Sequence, residues 1–268
     1  MSAVLADPAA TPKIRVRGLR KRFGDKQVLD GVDLDVMPGT SMVVIGGSGS
    51  GKSVLIKSIL GLVTPDEGTI EIDGRDILAL PRAGREAARA RIGMLFQNAA
   101  LFDSLPVWEN VAFGLLARAP GRPRIGRDAA RAKAGDILAQ VGLSPSVGDL
   151  SPSELSGGMQ KRVGLARAIA AQPDILFFDE PTTGLDPIMG AVIDGLILDC
   201  VRRLGSTAIA ITHDMASATR IGDRAAMLFA GRIIWEGEAH ALLDSGNAMV
   251  DQFTHGRRDG PIQMELRR

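Results

Sequence analysis

The chain has 268 residues, 45% of them hydrophobic, and a formal net charge of +1. That length supports a large buried core in one α/β domain, or a core with one inserted subdomain. Near-neutral charge and scarce aromatics, with no tyrosine, give no basic footprint and no stacking surface for nucleic acid. The single cysteine, Cys200, excludes an internal disulfide and reads as core in an apolar helical stretch. No run approaches the roughly eighteen apolar residues of a membrane helix. Residues 1–12 lack a basic leader and read as a loose extension. A soluble chain is expected, with any membrane role supplied by a partner.

From Lys13 to Val36 the apolar residues alternate in the manner of strands, through Ile14, Val16, Val32, Leu34 and Val36. Phe23, just before Gly24, is either a core or turn aromatic or a platform for a base. Met42 to Ile45 reads as a buried parallel strand, and the stretch after it is the chain's strongest signal. Gly46-Gly47-Ser48-Gly49-Ser50-Gly51-Lys52-Ser53 matches G-x-x-x-x-G-K-[ST] and runs into Val54 to Leu60, whose apolar spacing is helical. Strand, glycine loop and helix in that order form a phosphate-binding loop. Its glycines let backbone N–H groups face a phosphate, and the helix start adds partial positive charge. Lys52 suits β- and γ-phosphates, and the Ser53 hydroxyl suits Mg²⁺.

Thr69 to Gly74 alternates toward a turn glycine and reads as an antiparallel strand. Arg91 to Gln97 is a second core strand. Between Asn98 and Gln160, prolines 106, 120, 123, 145 and 152 punctuate short helical stretches, and Asp128 to Val141 is amphipathic. This segment reads as a helical insertion with a solvated charged face. Leu155-Ser156-Gly157-Gly158 opens another helix, Met159 to Ala171, as a second anion reader.

Pro173 to Glu180 carries four consecutive apolar residues and ends in two carboxylates. The C-terminal ends of such strands are where α/β proteins place ligands. Asp179 suits Mg²⁺, and Glu180 suits orienting or deprotonating a water. Pro187 to Leu204 is a helix, Thr207 to Thr212 a strand, and His213 follows it at the same type of edge. Ala225 to Phe229 and Arg232 to Glu236 form a hairpin about Ala230-Gly231, and a short helix is expected near 238–244.

With the serine–glycine turn added to the phosphate loop and the acidic strand, the sequence resembles the ATP-binding-cassette ATPases from Lys13 to Glu238. The resemblance implies an α/β fold: a P-loop NTPase core with an antiparallel β subdomain and an inserted helical subdomain at about 98–164. The nucleotide-binding domain would span 13–240, with a C-terminal extension at 241–268. It implies that Phe23 stacks on adenine where the family usually has Tyr, and that Gly46 to Val54 cradle ATP. Ser53, Gln97 and Asp179 would hold Mg²⁺. Glu180, His213, Gln97 and Lys52 would carry hydrolysis. Ser156, Gly157 and Gly158 would complete the ATP site of a second copy, near Asp186 of the loop after the acidic strand.

Three stretches, Leu101 to Val111 with Trp108, Phe177 to Ile188 and Val250 to Gly256, make the chain similar to the ATPases of Mla-type phospholipid transporters. That group implies a head-to-tail homodimer, an integral-membrane permease, a periplasmic MCE-type lipid-binding protein and a place on the cytoplasmic face of the inner membrane. The first stretch would be an apolar surface gripping the permease, or subdomain core, with some of its residues serving as core in either case. An importer of small polar solutes, a non-transport cassette ATPase and a regulatory nucleotide switch are the alternatives.

Overall fold

A computed structural model describes residues 11–117 and 125–263. Most of the expected N-terminal extension, Pro120, Pro123 and the end of the C-terminal extension lie outside the described residues. The chain divides into two compact units, Met1–Leu78 with Ile211–Arg268, and Ala79–Ala210.

In the first unit, β1 (Ile14–Phe23) and β2 (Lys26–Val36) form an antiparallel hairpin. Ile14 faces Val36 and Val16 faces Leu34. All four are buried, so the alternation seen in sequence becomes one apolar sheet face. β3 (Ser41–Ile45) is buried at every position and leads through the glycine loop to α1 (Lys52–Ile59). β4 (Glu67–Ile72) takes the other edge of β1, with Ile14 facing Ile72 and Val16 facing Ile70. The two-residue β5 (Arg75–Asp76) completes the order β2-β1-β4-β5, the expected antiparallel sheet.

The second unit opens with α2 (Arg82–Arg89), which buries no residue. Its arginines and alanines give helix propensity without an apolar period, and Arg82 pairs with Glu86 one turn on at 2.9 Å. β6 (Ile92–Leu95) follows, then the helices α3 (Val107–Leu116), α4 (Arg127–Gln140) and α5 (Gly157–Ile169). α4 turns Ala130, Ala134, Ile137 and Leu138 inward, the period of one helix face. β7 (Ile175–Asp179) lies parallel to β6, Leu95 opposite Phe178. Phe177 and Phe178 are completely buried, worth about 1.5–3 kcal/mol each. α6 (Pro187–Leu204) follows, with Cys200 inside it and buried, and the unit ends at Ala210 within β8 (Thr207–Ile211).

The segment 101–111 is divided between core and surface, and Trp108 falls on the core side. Trp108, Val107 and Val111 are buried in the helical part of this unit. Arg127 and Arg131 lie over the indole at 5.0 and 5.9 Å, so its remaining edge faces cations. Phe102 and Phe113 are exposed instead, in tilted contact at 4.6 Å between centroids. Fully buried Asn110 holds the loop that carries Phe102. Its carbonyl oxygen accepts from Phe102 N at 2.7 Å, and its amide nitrogen donates to the carbonyls of Phe102, Leu105 and Pro106.

The first unit resumes at Ile211. α7 (Met215–Ile221) precedes β9 (Arg224–Phe229), which lies parallel to β3. β10 (Arg232–Glu238) returns antiparallel to β9. The helix expected near 238–244 is a 3₁₀ turn, Ala239–Asp244, and is followed by α8 (Ala248–Thr254). Asn247 caps α8 by accepting from Met249 N and Val250 N, which starts a helix too short to announce itself by periodicity.

Candidate active site

The glycine loop between β3 and α1 is shaped by close approach. A Cβ on Gly46 would stand 2.3 Å from the Leu228 carbonyl oxygen, and one on Gly51 2.7 Å from that of Val28. Gly51 also has φ 108, a backbone state that side-chain-bearing residues avoid. The loop therefore passes where only glycine fits, and it ends at the start of α1, the kind of helix start whose backbone N–H groups hold anions. Lys52 is nearly buried, and its ammonium donates to the carbonyls of Gly46 at 2.6 Å and Gly47 at 2.9 Å. The buried Ser50 hydroxyl oxygen has no hydrogen-bond partner. A cradle that a Cβ would fill, a cation folded over it and a spare hydroxyl fit a polyphosphate. Ser53 is exposed in the first turn of α1, and Val54 is half-buried beside it.

Two other predicted residues lie in the same unit. Phe23 ends β1 with 49% of its surface exposed, and the Lys21 ammonium sits 5.3 Å from its ring centroid. The ring is thus a surface aromatic, not core. His213 is exposed, just past β8. The next residue fixes the turn: Asp214 donates its N–H to Thr212 Oγ1 at 3.0 Å and caps α7 through its carboxylate.

The second unit carries the remainder. Gln97 follows β6 and is exposed. Ser156 is the N-cap of α5, its hydroxyl oxygen accepting from Met159 N at 3.3 Å. Ser156 and Gly157 are exposed, whereas Gly158 is buried against Met189. Asp179 ends β7, and Glu180 follows with φ 49, a strained conformation for a residue with a side chain. The Glu180 carboxylate accepts from Thr183 Oγ1 at 2.8 Å. Asp186 caps α6, accepting from Ile188 N and Met189 N at 3.0 Å each, so that carboxylate serves the helix start as well as any ligand.

Sequence reasoning missed the cations of α5. Lys161 is only 6% exposed, and its ammonium donates to the backbone carbonyls of Gln97 and Glu180. Burial pushes its pKa below the usual lysine value, while the Glu180 and Asp179 carboxylates push it back up. Arg167 donates to the carbonyls of Ala99 at 2.5 Å and Ala100 at 2.6 Å. A charged residue on the apolar side of a helical period was the available signal. A cavity of about 260 Å³ is lined by Gln97, Gly157, Lys161 and Thr183, among others.

A phosphate cradle at a helix start and an acidic strand end define a nucleoside-triphosphate hydrolase of the P-loop class. The ABC transporter family model matches residues 29–183, more than half of the chain, and the chain belongs to that family of ATPases. The intermembrane phospholipid transport system ATP-binding protein MlaF of Haemophilus influenzae is 39% identical over 254 residues, covering 94% of each chain. The chloroplastic protein trigalactosyldiacylglycerol 3 of Arabidopsis thaliana is 40% identical over 266 residues, covering 93% of this chain and 75% of that one. A bacterial ABC transporter cassette solved as a dimer matches at TM-score 0.77 and 31% identity, over 84% of this chain and 98% of that one. The fold is the P-loop cassette expected from the motifs, and the family's chemistry is ATP hydrolysis with nucleotide and a divalent metal.

Proposed function

We propose that this chain powers phospholipid trafficking between inner and outer membranes, so maintaining outer-membrane lipid asymmetry. It does so as a head-to-tail homodimer on the cytoplasmic face of the inner membrane, joined to an integral-membrane permease and a periplasmic MCE-type lipid-binding protein. The observation that carries this reading is the match to MlaF, which runs over 94% of both chains and so extends beyond the residues 29–183 that the family model matches. No described helix is long and apolar enough to cross a membrane, which fits a subunit held there by its partners.

In this reading Gly46 to Val54 bind the phosphates through backbone N–H groups, and Phe23 stacks on adenine. Lys52 leaves the carbonyls of Gly46 and Gly47 to meet the β- and γ-phosphates, where its charge offsets the negative charge spreading in the transition state. Ser53, Gln97 and Asp179 would hold Mg²⁺, and hard oxygen donors of this kind suit that cation. Bound there, Mg²⁺ would neutralise phosphate oxygens. Glu180 accepts the proton of the attacking water, with Thr183 holding one carboxylate oxygen. His213 reads the γ-phosphate. Ser156, Gly157 and Gly158 close on the nucleotide of the second copy beside Asp186, so two ATP molecules bind the halves together and hydrolysis releases them. The nucleotide-binding domain spans 13–240, with its helical subdomain at about 98–164.

Reconstitution with the permease and the lipid-binding protein in liposomes tests the whole. Labelled phospholipid should move between donor and acceptor membranes only with ATP. Uptake of a small polar solute in place of lipid, or turnover without any partner requirement, would mark the importer or the non-transport reading.

A further inference from the structure

α5 offers two cations to backbone carbonyls. Lys161 serves Gln97 and Glu180, the latter at 3.2 Å, and Arg167 serves Ala99 and Ala100. Ala99, Ala100 and Glu180 have φ of 55, 49 and 49, a region that residues with side chains keep only when their surroundings impose it. An uncharged side chain of similar length would fill the same volume without the cost of burying an ammonium. What the ammonium adds is a direct link between the ends of two strands. Gln97 follows β6 by two residues and Glu180 follows β7 directly.

We infer that Lys161 is a positioning residue for ATP hydrolysis, fixing the backbones of Gln97 and Glu180 from α5 and so setting where both side chains point. The inference rests on the roles proposed above for those two residues. Because α5 begins at Ser156-Gly157-Gly158, the helix that carries the serine–glycine turn also carries the clamp. Closure against a second copy would then reach the water-activating groups through one rigid element.

Two variants of the full-length chain test this. Lys161→Met removes the donors at similar length, and Lys161→Arg keeps them. Without nucleotide, amide hydrogen exchange in segments 96–101 and 180–185 should rise at least tenfold in Lys161→Met, with segment 47–60 unchanged and Lys161→Arg restoring protection. Turnover should show kcat lower by tenfold or more, KM for ATP within twofold, and recovery to within threefold in Lys161→Arg. Placed on a Glu180→Gln background, Lys161→Met should cost less than it does alone, since only the positioning of Gln97 is left to lose. Unchanged exchange, an unchanged kcat, a rise in KM alone or an equal loss on the Glu180→Gln background overturns the inference. Parent-rate turnover by Glu180→Gln alone would instead remove the proposed base, while exchange and arginine rescue still decide whether Lys161 positions these segments. If Lys161→Met does not fold, Lys161→Gln takes its place, and its exchange and kcat should fall between those of Lys161→Arg and the tenfold changes stated above, with parent-like values overturning the inference.

Discussion

Gly46 and Leu228 approach so closely that a Cβ on the glycine would lie 2.3 Å from the leucine carbonyl oxygen. The acceptor is backbone in β9, which pairs with β3, so neither side can yield cheaply. Gly46→Ala should therefore lower stability by about 1–3 kcal/mol and weaken nucleotide binding at least tenfold. Thermal unfolding with and without ATP, beside a nucleotide titration, measures both effects. Parent-like affinity would mean that the loop has room the geometry denies.

The two charged residues proposed for the chemistry should fail differently. Lys52→Ala should keep the fold and lose nucleotide binding or turnover by roughly 10²-fold or more. Glu180→Gln should still bind ATP, lose roughly 10²–10⁴-fold in kcat, and accumulate as a closed dimer visible by light scattering with ATP. A Glu180→Gln protein as active as its parent would assign the base elsewhere.

Phe23 gives a graded test. Phe23→Ala should weaken ATP binding by about 1–3 kcal/mol, the scale of base–aromatic stacking, whereas Phe23→Tyr should hold parent affinity. Equilibrium titration with a fluorescent ATP analogue reads the difference. Equal affinity in all three proteins would leave the ring as a turn residue packed under Lys21.

Asn110 is the structural control. Replacing it with Leu should cost about 1–3 kcal/mol, since buried backbone groups of the 102–106 loop lose their partners. The effect should appear in denaturant unfolding while the nucleotide affinity of the isolated chain stays within twofold. Binding to the permease should weaken in parallel if Phe102 belongs to the docking surface.

The parts of this fold with a strong period or a fixed turn chemistry were legible in sequence. The β1–β2 alternation, the buried run of β7 and the glycine loop each reappear with the expected boundaries to within a few residues. α2 was not legible because a helix that buries nothing carries no apolar period, and α7 and α8 are seven residues each. Which of the residues 101–111 are core and which surface is not legible, because an apolar run does not reveal which of its faces turns inward: Trp108 is buried and Phe102 exposed. At the candidate site, glycines and carboxylates announce themselves by motif. Lys161 does not: a lysine's ordinary place is solvent, and only three-dimensional packing shows its ammonium committed to two carbonyls.

Because every hydrogen-bonding arm of Asn110 is committed inside one short loop, Phe102 is held in a preset pose. Ring-on-ring contact with Phe113 and the Arg167 guanidinium 5.9 Å from the Phe102 centroid restrain it further. A helix arriving on that surface would meet a shaped template rather than a strand of chain still to be organised. Little configurational freedom remains to be surrendered on contact, so association there should be fast to lock and governed by shape.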